Sequence, residues 1–315
     1  MNPPFSVIFL TTLIGVGQGL FLALYGADLL AVAGLAAPQD GPAFHALGSA
    51  VSLLFLGAGL VASFFHLGHP ERAWRAIAMW RTSWLSRECL ALPVFMGLVF
   101  LYGAAHYAGA PAGAAVAIGG LAALACLALF VCTAMIYACI RFLQEWASPL
   151  TLVNYLLLGC ASGFTLATAF AFFQAPQLAR IYGAGAIVLT LAALATRAAS
   201  LYRNARLKSR STLQSATGIR HPRLAQKAQG AMGGSYNTRQ YFHGMKPRFL
   251  RSVKWIFLVL AFPLPALLLG LGLARASMPL LALAFLVQYV GLIAERWFFF
   301  AQANHPQNLY YQQIS

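Results

Sequence analysis

Acidic residues are scarce in this chain: six among 315, against 21 Lys and Arg, for a formal net charge of +15 at pH 7. Charged residues of both signs make up only 9% and apolar ones 60%, with a mean hydropathy of +0.72. That shortage of polar side chains excludes a soluble domain, which would need more of them to cover its surface. No Cys-x-x-Cys pair occurs, and Cys89, Cys126, Cys132, Cys139 and Cys160 all lie in or beside apolar runs. They read as small packing residues rather than metal or disulfide ligands. No internal repeat is visible. No Lys or Arg precedes the first apolar run, and that run is too long for a signal-peptide core, so a retained first helix is expected.

What is present is a series of apolar stretches near 6–34, 44–65, 86–107, 114–140, 151–173, 181–201, 253–274 and 279–300. Each is long enough to cross a bilayer as a helix. The expectation is therefore an all-α, polytopic membrane bundle of about eight transmembrane helices, residues 1–315 forming one integral membrane domain. Pro149, Pro176 and Pro279 fall at span ends, whereas Pro263 and Pro265 lie inside the seventh and should kink it. Arg72, Arg75, Arg81 and Arg87 follow span two and Arg141 follows span four, while the opposite connections offer Asp40, Arg180 and Arg275. This bias points the arginine-rich side, and both termini, to the cytoplasm.

The connection at 202–252 carries twelve Lys and Arg near it, from Arg203 to Lys254, and no Asp or Glu. It reads as a basic cytoplasmic loop. Two uses stay open: solvation against anionic lipid headgroups, or docking of a partner subunit. Gly218, Gly230, Gly233 and Gly234 with the Arg220-His-Pro-Arg223 run suggest defined turns. Nucleic acid is not expected, because no binding fold surrounds the basic stretch.

Ionisable groups are costly in a membrane, so each acid has to be placed. Glu71, Glu88, Glu145 and Glu295 fall on the arginine-rich side; Asp40 is opposite, and Asp28, near the far end of span one, reads as an interfacial or packing residue before a proton-path one. Glu145 and Glu295 read as local ion pairs with nearby arginines. The densest cluster joins spans two and three: Phe64-Phe-His66-Leu-Gly68-His69-Pro-Glu71-Arg72-Ala-Trp74-Arg75, then Trp80-Arg81-Thr-Ser-Trp84-Leu-Ser86-Arg87-Glu88. Antiparallel neighbours would let His66 and Glu88 face each other. Such a pair suits quinone chemistry, in which an imidazole donates to a ring oxygen and a partly desolvated carboxylate exchanges protons. Arg81 and Arg87 would work against that role of Glu88. Gly68 would let a ring approach the backbone or merely end a helix, and Trp74, Trp80 and Trp84 would wall a ring or merely anchor the interface. The competing reading is a structural His66/Glu88/Arg72 network. No histidine sits mid-span, so heme is not expected. A solute or ion transporter would need charges or broken helices near the midplane, and only the Pro263/Pro265 kink hints at that.

Four strings in order carry a resemblance: Phe65-His66-Leu-Gly68 with Pro70 and Arg72; Ser86-Arg-Glu88; Cys132-Thr-Ala-Met-Ile-Tyr137 leading to Pro149-Leu-Thr151-Leu-Val-Asn154-Tyr155; and Glu295-Arg296-Trp297-Phe298-Phe299. Together they resemble, over nearly the whole chain, the heme-free membrane-anchor subunits of dimethyl-sulfoxide-reductase-type molybdoenzymes. The resemblance implies a ferredoxin-like iron–sulfur subunit and a molybdopterin catalytic subunit as partners, which hold all the metal centres. It implies that the anchor exchanges electrons with the quinone pool, binding menaquinone or ubiquinone non-covalently. His66 and Glu88 match the family's quinone-site residues, as do Gly68 and Arg72, with Ser148 and Thr151 as weaker matches. Ser211–Arg223 and Gly233–Arg239 resemble the sulfite-oxidising branch, whose partners are cytoplasmic, in keeping with the arginine-rich side; the resemblance implies a bacterial inner membrane. The alternative within the family is a quinol-oxidising anchor of a periplasmic sulfoxide or polysulfide reductase.

Overall fold

A computed structural model describes residues 1–39, 42–227 and 241–311. Asp40, Gly230, Gly233, Gly234 and Arg239 lie outside them. Among the described residues the chain is helical without strands, and eight helices are long and apolar enough to cross a membrane. They are α1 (Phe5–Val32), α2 (Pro42–Phe64), α3 (Trp84–Tyr107), α4 (Ala112–Ala138), α5 (Pro149–Gln174), α6 (Pro176–Ala205), the pair α7 (Pro247–Leu260) and α8 (Pro263–Ala274), and α9 (Met278–Ala301). The connection after α2 is not irregular, since Pro70–Ile77 winds into a 3₁₀ helix.

α1 and α5 are the most buried spans, and their contact is a backbone one. Gly15 and Gly19 on α1 meet Gly159 and Gly163 on α5 so closely that a Cβ on Gly163 would overlap the Gly19 carbonyl carbon. Small residues four apart on both helices permit this approach, which in lipid replaces the missing hydrophobic drive for association. The remaining spans surround this pair and turn apolar side chains such as Leu54, Phe100, Leu124 and Val188 outward.

The kink expected in the seventh span is present: α7 ends at Leu260 and α8 resumes at Pro263. Pro265 has no N–H to offer the carbonyl of Ala261 four residues back. Gln288 of α9, buried, donates its Nε2 to that oxygen at 3.4 Å and to Thr190 Oγ1 at 3.1 Å. Gly291 leaves room for the kink, since a Cβ there would run into the Ala261 nitrogen.

The basic connection is shorter than its composition suggests. α6 continues to Ala205, and α7 starts at Pro247, six residues before the expected 253, so Arg248, Arg251 and Lys254 ride on helix. Long cationic side chains tolerate this because their stems lie along apolar surface while the heads reach the interface. Between these ends, Thr212 and Ser215 form a capping box on the short helix Leu213–Thr217, which Gly218 closes at φ 72°. The Arg223 N–H donates to His221 Nδ1 at 3.0 Å, and the Arg220–Arg223 run bends at Pro222 without forming a regular turn.

Candidate functional site

Helix alternation brings the end of α2, the start of α3, the end of α4, the start of α5 and the ends of α6 and α9 to one face of the bundle. All six predicted site residues are on that face. His66 and Gly68 occupy the short turn between α2 and the 3₁₀ helix; both are exposed, and a Cβ on Gly68 would meet nothing within 4 Å. Gly68 is not among the glycines with a left-handed backbone, so it is no helix cap. Partial desolvation of the ring lowers the His66 imidazole from its ordinary value of 6.5. Arg72 is also exposed, at 3.7 Å from Glu71, and His69 Nδ1 contacts the same carboxylate at 3.0 Å.

Glu88 differs from these. It is buried in the first turns of α3 and accepts a short hydrogen bond, 2.5 Å, from Thr133 Oγ1 of α4. Among the described residues no hydrogen bond or ion pair joins Glu88 to His66 or Arg72, which corrects the expectation of a three-residue structural network. Arg87, expected to bear on Glu88, is turned away: it donates to the carbonyls of Trp80 at 2.9 Å and Arg81 at 2.6 Å and lies over the Trp84 ring. Arg75 and Arg81 likewise cover Trp74 and Trp80, so each tryptophan has an arginine on its face. Ser148 and Thr151 have structural partners. Ser148 caps α5 by accepting from the Leu150 N–H, and Thr151 donates to the Trp146 carbonyl at 2.7 Å.

Beyond Thr133 the interior is unexpectedly polar. A cavity of about 20 Å³, room for one water, is lined by Thr12, Thr133, Tyr155, Ser162 and Arg296 among others. The Arg296 guanidinium stacks 3.5 Å above the Tyr155 ring and lies 3.6 Å from Glu295. Glu295 is almost wholly buried, and its other oxygen meets Arg197 Nε of α6 at 2.7 Å. Sequence reasoning read Glu295 as a local pair with Arg296 and missed Arg197 altogether, 98 residues away in an apolar run.

A second convergence, at the opposite face, was also missed. Asp28 of α1, His45 of α2 and His106 of α3 place one donor atom each within 4.8 Å of one another. Tyr102 donates to Asp28 Oδ2 at 2.6 Å and contacts His45 Nδ1 at 3.1 Å; His106 Nε2 meets the same Oδ2 at 3.0 Å. Counting which end of each span carries the residue places all three on one face from sequence alone; their contact is a matter of packing.

The profile of the DMSO reductase anchor subunit (DmsC) matches residues 1–311. The C subunit of the sulfite dehydrogenase of Allochromatium vinosum is 55% identical over 326 aligned residues, covering all of both chains.

Proposed function

The chain belongs to the DMSO reductase anchor-subunit family, and we propose that it is the quinone-reactive anchor of a sulfite-oxidising complex, with its partners on the cytoplasmic side. Full-length identity of 55% to a sulfite dehydrogenase subunit supports the substrate class. On this reading sulfite is oxidised to sulfate on a molybdopterin subunit, a ferredoxin-like iron–sulfur subunit relays the electrons, and this chain hands two electrons and two protons to quinone. Anionic lipid and the partner subunits share the basic face.

The contrast between His66 and Glu88 carries the proposal. His66, Gly68 and Arg72 form an open polar edge at the membrane boundary, where a lipid-soluble ring can arrive with no side chain over Gly68. His66, disfavoured as a cation, offers a neutral N–H to a ring oxygen. Glu88 is buried with Thr133 on its carboxylate, and Thr133 in turn lines the water-sized cavity at Arg296. A buried carboxylate linked through a short hydrogen bond to a hydroxyl that lines a cavity is suited to hold and pass protons. The residues fit an uncharged quinone at these two points. Arg72 supplies positive charge nearby, while Ser148 caps the α5 terminus and Thr151 ties it to the Trp146 carbonyl.

Glu88→Gln keeps the size of the side chain and its bond to Thr133. In the assembled complex it is expected to lower quinone reduction by about 10²-fold or more, while sulfite oxidation with an artificial acceptor persists. His66→Ala is expected to weaken binding of a quinone analogue. Wild-type quinone turnover by assembled Glu88→Gln would remove the central claim, and quinol-driven reduction of a sulfoxide without sulfite oxidation would favour the reverse flow.

A further inference from the structure

We propose that Asp28, His45 and His106 bind a divalent transition-metal ion of the zinc class at the face opposite His66 and Glu88. The available protons leave one contact in this cluster unexplained. Tyr102 has one hydroxyl proton and gives it to Asp28 Oδ2, so its 3.1 Å contact with His45 Nδ1 requires the proton to be on that nitrogen. A neutral His45 then turns the Nε2 lone pair toward Asp28 Oδ1, at 3.3 Å. That contact is not a hydrogen bond: two lone pairs face each other, on an imidazole only 2% exposed. Something positive belongs between them.

The competing answer is one added proton, on His45, with a neutral His106 donating to Asp28 Oδ2. It would put an imidazolium on a ring only 2% exposed and stacked on His106 with centroids 4.0 Å apart and planes 18° from parallel. One divalent ion satisfies all three groups. Two imidazole Nε2 atoms and a carboxylate are ordinary zinc donors at about 2.0–2.2 Å. Donor atoms already within 4.8 Å of one another need only a modest closure to reach that range. The Tyr102 hydroxyl, accepting from His45 Nδ1, occupies the outer position that fixes tautomer and ring orientation in metal-bound histidines. Partial exposure of Asp28 and His106, 12% and 18%, leaves a way in. The donors come from three helices, so the ion would pin the outer ends of α1, α2 and α3 together. Such a site works independently of quinone chemistry.

The full-length chain, purified in detergent and stripped with a chelator, is dialysed against Zn²⁺ and its bound metal counted. One ion per chain is expected for wild type, with affinity reduced about 10–100-fold in Tyr102→Phe, where only the outer hydrogen bond is lost, and more in His106→Gln and Asp28→Asn. Co²⁺ in place of Zn²⁺ should give the visible absorption of a tetrahedral nitrogen and oxygen site in wild type, a reading that needs no variant. Zn²⁺ bound no more tightly by wild type than by a His45→Ala/His106→Gln double variant, or Co²⁺ with only its aqueous spectrum, would overturn the proposal and leave a proton between His45 and Asp28.

Discussion

Glu295 shows how much one buried carboxylate can hold. Arg197 lies at 2.7 Å on one side and Arg296 at 3.6 Å on the other, and all three side chains are almost fully buried. Removing one member of a buried ionic group leaves charge without compensation, a loss of about 3–5 kcal/mol. The cost is uneven here. Glu295→Gln leaves two guanidiniums facing a neutral amide, whereas Arg197→Met leaves Glu295 with Arg296. Thermal unfolding in detergent should therefore show Glu295→Gln as the less stable variant, and equal midpoints would mean that Arg296 draws its compensation from Tyr155 alone. None of this is legible locally. Arg197 stands alone in an apolar run, and nothing near it in sequence names a partner. Glu88 and His66, by contrast, stand out because acids and imidazoles are so rare here, although their spacing cannot reveal that Glu88 bonds Thr133 of α4.

At the scale of helices, the spans are legible to within a few residues because lipid leaves no alternative to about twenty apolar residues in a hydrogen-bonded helix. The Pro263/Pro265 break is legible for the same kind of reason: a missing N–H cannot be hidden. Partner choice is not. That α1 lies against α5, rather than being screened by α2, depends on which glycines meet, and the chain contains 28 of them. The Gly15/Gly19 and Gly159/Gly163 pairs separate themselves only through distance, with Gly163 admitting no Cβ against Gly19. Gly163→Val must therefore push α1 and α5 apart, taking with them the parts of the cavity wall that Gly15 and Gly159 form. Overpacking of this kind costs about 1–3 kcal/mol. A fall in thermal midpoint is expected, with greater loss than in Gly97→Val, where a Cβ meets open space. Similar midpoints for the two variants would show that the backbone contact contributes little.

For the whole molecule, charge asymmetry ties topology to partner choice. Eight crossings return the chain to the face it started from, and the Met1 amine donates to the Ala303 carbonyl at 2.8 Å, so the segments flanking the first and last spans meet. That face carries Arg72, Arg75, Arg81, Arg87, Arg141 and Arg203, and beside it run the helix-borne cations Arg248, Arg251 and Lys254; Arg180 and Arg275 lie at the other. An excess of short-loop cations favours retention on the cytoplasmic side during insertion, which is the basis of the proposed sidedness. The long basic connection adds its sign but little weight, since loops near its length cross with less regard to charge. The short loops therefore decide, and they predict that a periplasm-dependent reporter fused after Ser315 is inactive while one inserted at Ala276, between α8 and α9, is active. The reverse pair of results would place His66 and Glu88 under a periplasmic partner and turn the proposed electron flow toward quinol oxidation. It would leave the His66 edge and the Glu88–Thr133 bond unchanged, because the chemistry of the site depends on burial and the direction of its traffic on sidedness.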